Sequence, residues 1–512
     1  MAQRKNKVIS TSSEWTVPIL EKFQHEIERI ASNFKLDTYP NQIEIIGAEQ
    51  MMDAYSSVGM PLGYSHWSFG KQFLTVEKRY KRGQMGLAYE LVINSNPCIS
   101  YLMEENTLPM QVLVIAHACF GHNSFFKGNY LFKTWTSPSA IIDYLLFAKN
   151  YIFECEELHG IDAVEAILDS CHALMKNGVD KYKRPNKISL QEEKNRQANR
   201  AEYLQTLVNE LWRTLPPSKV TEQRLLEEER YPDEPQENIL YFIEKHAPLL
   251  EPWQREIVRI VRKMAQYFYP QRQTKVMNEG WATFWHYTIM NQLFDEGLIN
   301  NNFMMEFLHN HTNVIYQPPF DNRFYSGLNP YTLGFNLFSD IKRICENPTD
   351  EDKKWFKDFA GSSWIETLDF AMKNFKDESF IAQFLSPKLI RDMKLFHLLD
   401  DQEKEELIVA DIHDEEGYHH IRQLLSENYN LSNVDPDIQV YHVHRKTDRS
   451  LTLRYTQRKQ RPLSDEAQEV LKHVYRLWGF PVKLECVSEE GNIESLFECP
   501  SPPLPANKES SG

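Results

Sequence analysis

The sequence predicts a mainly α protein with a small sheet, an α+β chain in which a large helical body precedes a short ββαβ module. Apolar residues recur at helical spacing over 14–35, 138–158, 162–176, 253–269 and 278–297. The first half offers one good strand, AYELVINSN at 88–96, whose β-branched and aromatic residues run into Asn, Ser and Pro. From about residue 416, short alternating segments take over.

In chain order, EWTVPILEKFQHEIERIASNFK reads as an amphipathic helix and YSSVGMPLGYSHWSFGKQF, 55–73, as a turn-rich aromatic stretch. After the strand, NTLPMQ opens a helix. Asn106 or Thr107 can cap it, and Pro109 suits the first turn, where its missing N–H costs nothing. KISLQEEKNRQANRAEYLQTLVNELWRTL, 187–215, carries one apolar stripe and reads as a solvated helix. A charged connection follows near 216–238. IYQPPFDNRFYSGLNPYTLGF, 315–335, is a Pro- and aromatic-rich loop of a kind that often carries function.

Farther on, GYHHIRQLLSENYNL reads as helix, and IQVYHVH and RSLTLRYT as strands. SDEAQEVLKHVYRLWG is a helix with Ser464 as cap and Gly479 as stop, and FPVKLECV closes as a strand. The expected domains are a main body at 1–415, a small α/β module at 416–492 and a disordered tail at 493–512.

At 512 residues the chain is long enough for two or three cores, and 42% hydrophobic with 25% charged residues is an ordinary globular balance. A net charge of −15 argues against a general nucleic-acid or anionic-membrane binder. No apolar run reaches the roughly 18 residues of a membrane span. The polar start MAQRKNKVISTSSEW shows no hydrophobic signal region. Seven cysteines without a CxxC pair suit a reducing compartment, so the expectation is a soluble cytoplasmic protein.

The chemistry concentrates in VLVIAHACFGHNSFF. It resembles AHELGH, the active-site helix of zinc hydrolases, with one residue more and no glutamate. His117 and His122 stand at i and i+5, about 140° apart on a regular α-helix, and cannot share a metal there. A π-bulge at Cys119–Gly121 would return them to one face, and Gly121 favours such a distortion. MNEGWATFWHY, 277–287, resembles the helix that supplies the third, glutamate ligand of gluzincin metallopeptidases, with Glu279 as the counterpart. His286 lies about 10.5 Å farther along that helix, which suits a supporting or oxyanion-stabilising role over ligation.

Each piece also has a bland reading. A histidine in an apolar helix is commonly a satisfied core residue, and Glu279 could simply favour a helix N-terminus. The conjunction favours a metal: strand, apolar His-x4-His helix and distant Asn-Glu-Gly-Trp helix follow the order zincins use, so the main body reads as zincin-like. Glu104 and Glu105, shortly before the His helix, are candidates for the missing base. His309 and His311, in FLHNHTN before the Pro-rich loop, are candidate substrate-facing residues, as is His66. Cys119 is a candidate thiolate, more simply a core cysteine. His419, His420, His442 and His444 read as surface or strand residues of the module.

Several long blocks, among them LDTYPNQIEIIGAEQMMDAYSSVGMP, HWSFGK, HACFGHNSFFKGNYLF, PQENILYFIEKHAPLLEPWQREI, VMNEGWATFWHY and SLTLRY, resemble the SpoVR (stage V sporulation protein R) family, closely its YcgB-like branch. The resemblance spans about 14–485. It implies spore cortex assembly in spore formers and stationary-phase and stress responses elsewhere. It also implies a PrkA-type serine kinase and a von Willebrand A-type protein as partners. With the residue reading, it points to a zinc-dependent hydrolase of a peptide, isopeptide or peptidoglycan-type amide bond. Ligands would be His117, His122 and Glu279, with Glu104 or Glu105 as base and His286 or His309 at the oxyanion. A non-catalytic partner of the kinase and the von Willebrand-type protein is the alternative. An iron-dependent redox enzyme is a third reading, because two histidines and a carboxylate also suit iron.

Overall fold

A computed structural model describes residues 8–57, 63–81, 90–181, 231–319, 322–323, 325–399, 408–411, 413–457, 462–464 and 466–500. The helix expected at 187–215 and most of the charged connection lie outside these residues. The described chain is mainly helical with small sheets, which is the α+β class expected. It divides into two compact units, each of two segments: Met1–Ile142 with Pro270–Leu431, and Asp143–Tyr269 with Ser432–Gly512. Among the described residues no helix is long and apolar enough to cross a membrane.

In the first unit, α1 (Val17–Asn33) buries Leu20, Phe23, Ile27 and Ile30, a stripe at three- and four-residue spacing. β1 (Asn41–Ile46), β2 (Glu90–Ile93) and β3 (Cys98–Met103) form a sheet of order β1-β3-β2, with β1 parallel and β2 antiparallel to β3. Only β2 falls in the stretch read as strand at 88–96. The Asn, Ser and Pro residues read as a stop are instead a link between paired strands, and β3 shows no alternation because it is buried almost throughout. Thr107 caps α2 (Leu108–Val114), accepting from the Met110 N–H at 3.4 Å, with Pro109 in the first turn. The chain then runs into a π-helix, Ile115–His122, and back to α-helix at Asn123–Gly128. Every residue of α2 and the π-helix is buried.

That rod packs against α3 (Lys275–Asp295), which in turn packs on α4 (Asn301–Val314) and α5 (Pro330–Glu346). Asp377, at the start of α6 (Asp377–Phe384), closes the N-terminus of α3 by accepting from the Val276 and Met277 N–H groups, both at 2.8 Å. The stretch read as a loop at 315–335 ends in α5, whose N-terminus Asn329 caps by accepting from the Tyr331 N–H at 3.0 Å. β4 (His397–Leu399) and β5 (Ile408–Asp411) form a short antiparallel ladder. The helix Glu415–Asn428 buries Tyr418 and Ile421 in this unit's core, so the main body extends past the boundary expected at 415. His419 accordingly stacks on Trp355, with ring centroids 4.3 Å apart, and does not belong to the C-terminal module.

In the second unit, β6 (Ile438–Val443), β7 (Leu451–Thr456), β8 (Val482–Val487) and β9 (Ile493–Cys499) form a sheet in that order. β7 and β8 are parallel, as their crossover helix Glu466–Trp478 requires, and β9 is antiparallel to β8. Residues 493–499, expected as the start of a disordered tail, are thus a strand. Its polar, exposed edge position hid the alternation of a half-buried one. Helix Ile161–Ala173 joins this unit, Ser170 bonding His473 at 3.2 Å.

Candidate metal centre

A π-helix closes its hydrogen bonds from i to i+5, so residues five apart stack as residues four apart do on an α-helix. His117 and His122 therefore share a face, with ring centroids 4.6 Å apart and planes at 86°. The expected bulge is here a π segment of 8 residues. Gly121 lets this segment meet α3: a Cβ there would lie 2.5 Å from Ala282 Cα. On the same helix a Cβ at Gly280 would lie 2.3 Å from Gly334 Cα of α5. Such close approach needs residues without side chains at the contact. Glu279 sits beside the second of these contacts.

The two imidazoles face two carboxylates. His117 Nε2 is 3.2 Å from Glu90 Oε1 and 3.9 Å from Glu279 Oε2, and His122 Nε2 is 3.7 Å and 3.6 Å from the same atoms. Glu90, His117 and His122 bring ligand atoms within 4.8 Å of one another. Two donors about 2.1 Å from one zinc at a tetrahedral angle stand about 3.4 Å apart, so these separations fit a shared cation. Glu90 Oε2 and Glu279 Oε2 are buried without a hydrogen-bond partner. Orphaned carboxylate oxygens in a core are costly, and a cation at the imidazoles would satisfy Glu279 Oε2, the oxygen that faces them, while Glu90 faces them through Oε1. The Glu90 and Glu279 side chains retain 18% and 19% of their surface, although one oxygen of each carboxylate is itself buried.

The outer nitrogens are engaged too. His122 Nδ1 meets Asn278 Oδ1 at 3.0 Å, which makes Nδ1 the donor and leaves Nε2 for the site. His117 Nδ1 meets His286 Nδ1 at 2.8 Å, and His286 Nε2 meets His311 Nδ1 at 2.8 Å. Tyr331 hydrogen-bonds Glu279, and its ring lies 6.4 Å from that of His117. The motif around Glu279 is thereby accounted for: Asn278 orients a histidine, Glu279 faces it, Gly280 and Ala282 let two helices close in.

Burial, then the charge of Glu279, pushes the Glu90 carboxyl well above the usual carboxylate range. Burial pushes Glu279 the same way, but His117, His122 and Tyr331 together outweigh it and hold Glu279 below its ordinary value. Burial lowers His117 and His311 to about 4 and His286 well below the usual imidazole range.

His117, His122, Glu279 and His286 converge here, and His311 joins through His286. Glu104 and Glu105 do not. Both are exposed in the turn after β3, where Glu105 accepts from the Ala48 N–H at 3.1 Å. His309 is exposed and bonds Asn313 at 3.3 Å, pointing off the face that carries His311. His286 has both ring nitrogens engaged and no N–H left for an oxyanion. His66 bonds Ser68 at 2.6 Å, and Cys119 is a core thiol that burial pushes up to about 12. Glu90, which sequence reasoning missed, is the first residue of β2, inside the stretch read as strand at 88–96. Proximity along the chain drew attention to Glu104 and Glu105 instead.

No solved structure matches this chain. The chain is 64% identical over 492 residues to the uncharacterized protein YcgB of Escherichia coli (strain K12), covering 96% of each. The family model described as SpoVR like protein matches residues 14–434, and that of the SpoVR-like C-terminal domain matches 436–489. The π-helix and both carboxylate elements lie within the first match, and the chain belongs to the SpoVR family.

Proposed function

We propose that His117, His122 and Glu279 hold a divalent metal, zinc foremost, and that the protein is a zincin-like hydrolase of amide bonds. One observation carries this reading: two imidazole Nε2 atoms converge on two carboxylates, each with an orphaned oxygen, inside an apolar core. When bound, the metal supplies Lewis acidity toward a carbonyl oxygen and makes a water more acidic. The remaining work falls to the chain. HACFGH has Ala118 where HExxH enzymes carry their base, and Glu90 approaches the same imidazoles from β2. Its carboxyl, raised by burial and by the charge of Glu279, holds a proton more firmly than an ordinary carboxylate, which suits a group that takes a proton from a water. Tyr331 supplies a hydroxyl donor beside Glu279.

A peptide, isopeptide or peptidoglycan-type amide fits the cortex role that the family resemblance implies. The PrkA-type kinase and von Willebrand A-type protein are its proposed partners. Elemental analysis of the purified chain tests the centre, with about one zinc expected per chain. Glu279→Ala should lose the metal. Glu90→Gln should keep it while losing turnover of amide substrates. Metal loss in Glu90→Gln would make Glu90 a ligand and remove the base assignment. Iron in place of zinc would bring the redox reading forward. A metal-free wild type would leave the interaction-protein reading.

A further inference from the structure

The bonds that tie His117 to His286 and His286 to His311 have a direction. A neutral imidazole carries one N–H, so each ring donates through one nitrogen and accepts through the other. His286 is fully buried and engaged at both ends, 2.8 Å from His117 Nδ1 and 2.8 Å from His311 Nδ1. Tyr287, Phe307 and Phe335 surround His311 with ring faces and edges, and His311 keeps 4% of its surface. Fixing the proton on any one ring therefore fixes it on all three.

We infer that His117, His286 and His311 form an imidazole relay whose tautomers reverse together when a cation takes His117 Nε2, moving one proton from the His311 end to the Glu90 side. The inference rests on the metal reading of the site. Without a cation, His117 Nε2 faces two carboxylates, Glu90 Oε1 at 3.2 Å and Glu279 Oε2 at 3.9 Å, and so carries the ring's proton toward them. His117 Nδ1 then accepts from His286 Nδ1–H, and His286 Nε2 accepts from His311 Nδ1–H. A cation on Nε2 would displace that proton to water. His286 passes its Nδ1 proton to His117 Nδ1, His311 passes its Nδ1 proton to His286 Nε2, and His311 Nε2 takes one from solvent. One proton enters, one leaves, and every ring stays neutral. His286 and His311 are thus positioning residues: they act through His117 and fix which of its nitrogens is offered to the metal.

The test is imidazole nitrogen NMR on full-length protein labelled with ¹⁵N-histidine, before and after one equivalent of zinc. Before zinc, His117 should carry its proton on Nε2 and His286 and His311 on Nδ1. After zinc, His117 should carry it on Nδ1 and the other two on Nε2. Zinc binding with unchanged tautomers at His286 overturns the relay and leaves the metal centre standing. No zinc binding overturns both. His286→Leu should weaken zinc about 10- to 100-fold, whereas His311→Gln, whose amide both accepts and donates, should weaken it far less. Wild-type zinc affinity in His286→Leu would also overturn the relay, and the wild-type spectra decide if that variant fails to fold.

Discussion

Gly121→Ala probes the link between helix packing and the candidate centre. A methyl at Gly121 would lie 2.5 Å from Ala282 Cα, 2.8 Å from Ala282 Cβ and 3.3 Å from Ala282 O. Carbon atoms settle near 3.5 Å, so the π-helix and α3 must part by about 1 Å. Ala282 stands three residues from Glu279, on the same helix, so that movement goes directly into the His–Glu separations. His122 Nε2 and Glu279 Oε2, now 3.6 Å apart, would open to about 4.6 Å, too far for two donors each about 2.1 Å from one ion at a tetrahedral angle. Overpacking should cost about 1–3 kcal/mol of stability. Helix propensity works the other way by up to about 1 kcal/mol, because alanine replaces glycine, and the clash should win. Zinc affinity should fall at least about tenfold. Urea unfolding of the metal-free protein reads the first effect, and competition with a chromophoric chelator reads the second. Ala282→Gly should not rescue the variant, because the backbone Cα is itself in the way. Wild-type stability together with wild-type zinc affinity would refute the packing argument.

Asn278→Ala removes the acceptor for His122 Nδ1–H and should weaken zinc about 10- to 100-fold while leaving one metal per chain at saturation, read by the same competition titration. Burial raises the Asp377 carboxyl from 3.8 to about 7, against the pull of backbone N–H groups at the start of α3. The folded chain thus holds a proton that the unfolded chain has released. The associated stability is complete below about pH 4 and lost as pH rises through about 7, by up to about 4 kcal/mol. Asp377→Asn should flatten this pH dependence in urea unfolding between pH 5 and 8, and an equal slope in variant and wild type would show that Asp377 does not titrate in that window.

Much of the helical body was legible because its signals are local. Thr107 and Pro109 announce α2, and the apolar stripe of α1 is periodic. The need for a π distortion could be read from the i, i+5 histidines, since no regular helix would serve two ligands at that spacing. The missed parts are those fixed by distant partners. β3 is buried on both faces and β9 lies at an edge, so neither alternates cleanly. Glu90 is 27 positions from His117 and becomes adjacent only when β2 pairs with β3, so chain distance pointed to Glu104 and Glu105. Tyr331 and Asp377 reach α3 from helices that sequence pattern cannot place against it.

The missing glutamate in HACFGH has a physical reading that differs from loss of function. Every residue from Ile115 to His122 is buried, so an ionised side chain on this rod would be desolvated among apolar neighbours. Glu90 and Glu279 come from other elements, and His117, His122 and Tyr331 hold Glu279 below its ordinary value in spite of burial. The apolar rod holds the two imidazoles rigidly, and the carboxylates come from β2 and α3, which face it. Restoring the HExxH glutamate should therefore harm the protein. Ala118→Glu buries a carboxyl at a position with no exposure, at a cost of several kcal/mol, and should unfold or precipitate the chain. Combining it with Glu90→Gln should recover nothing. A soluble Ala118→Glu/Glu90→Gln protein with one metal and regained amide turnover would show instead that this site is an ordinary HExxH centre that has lost its base.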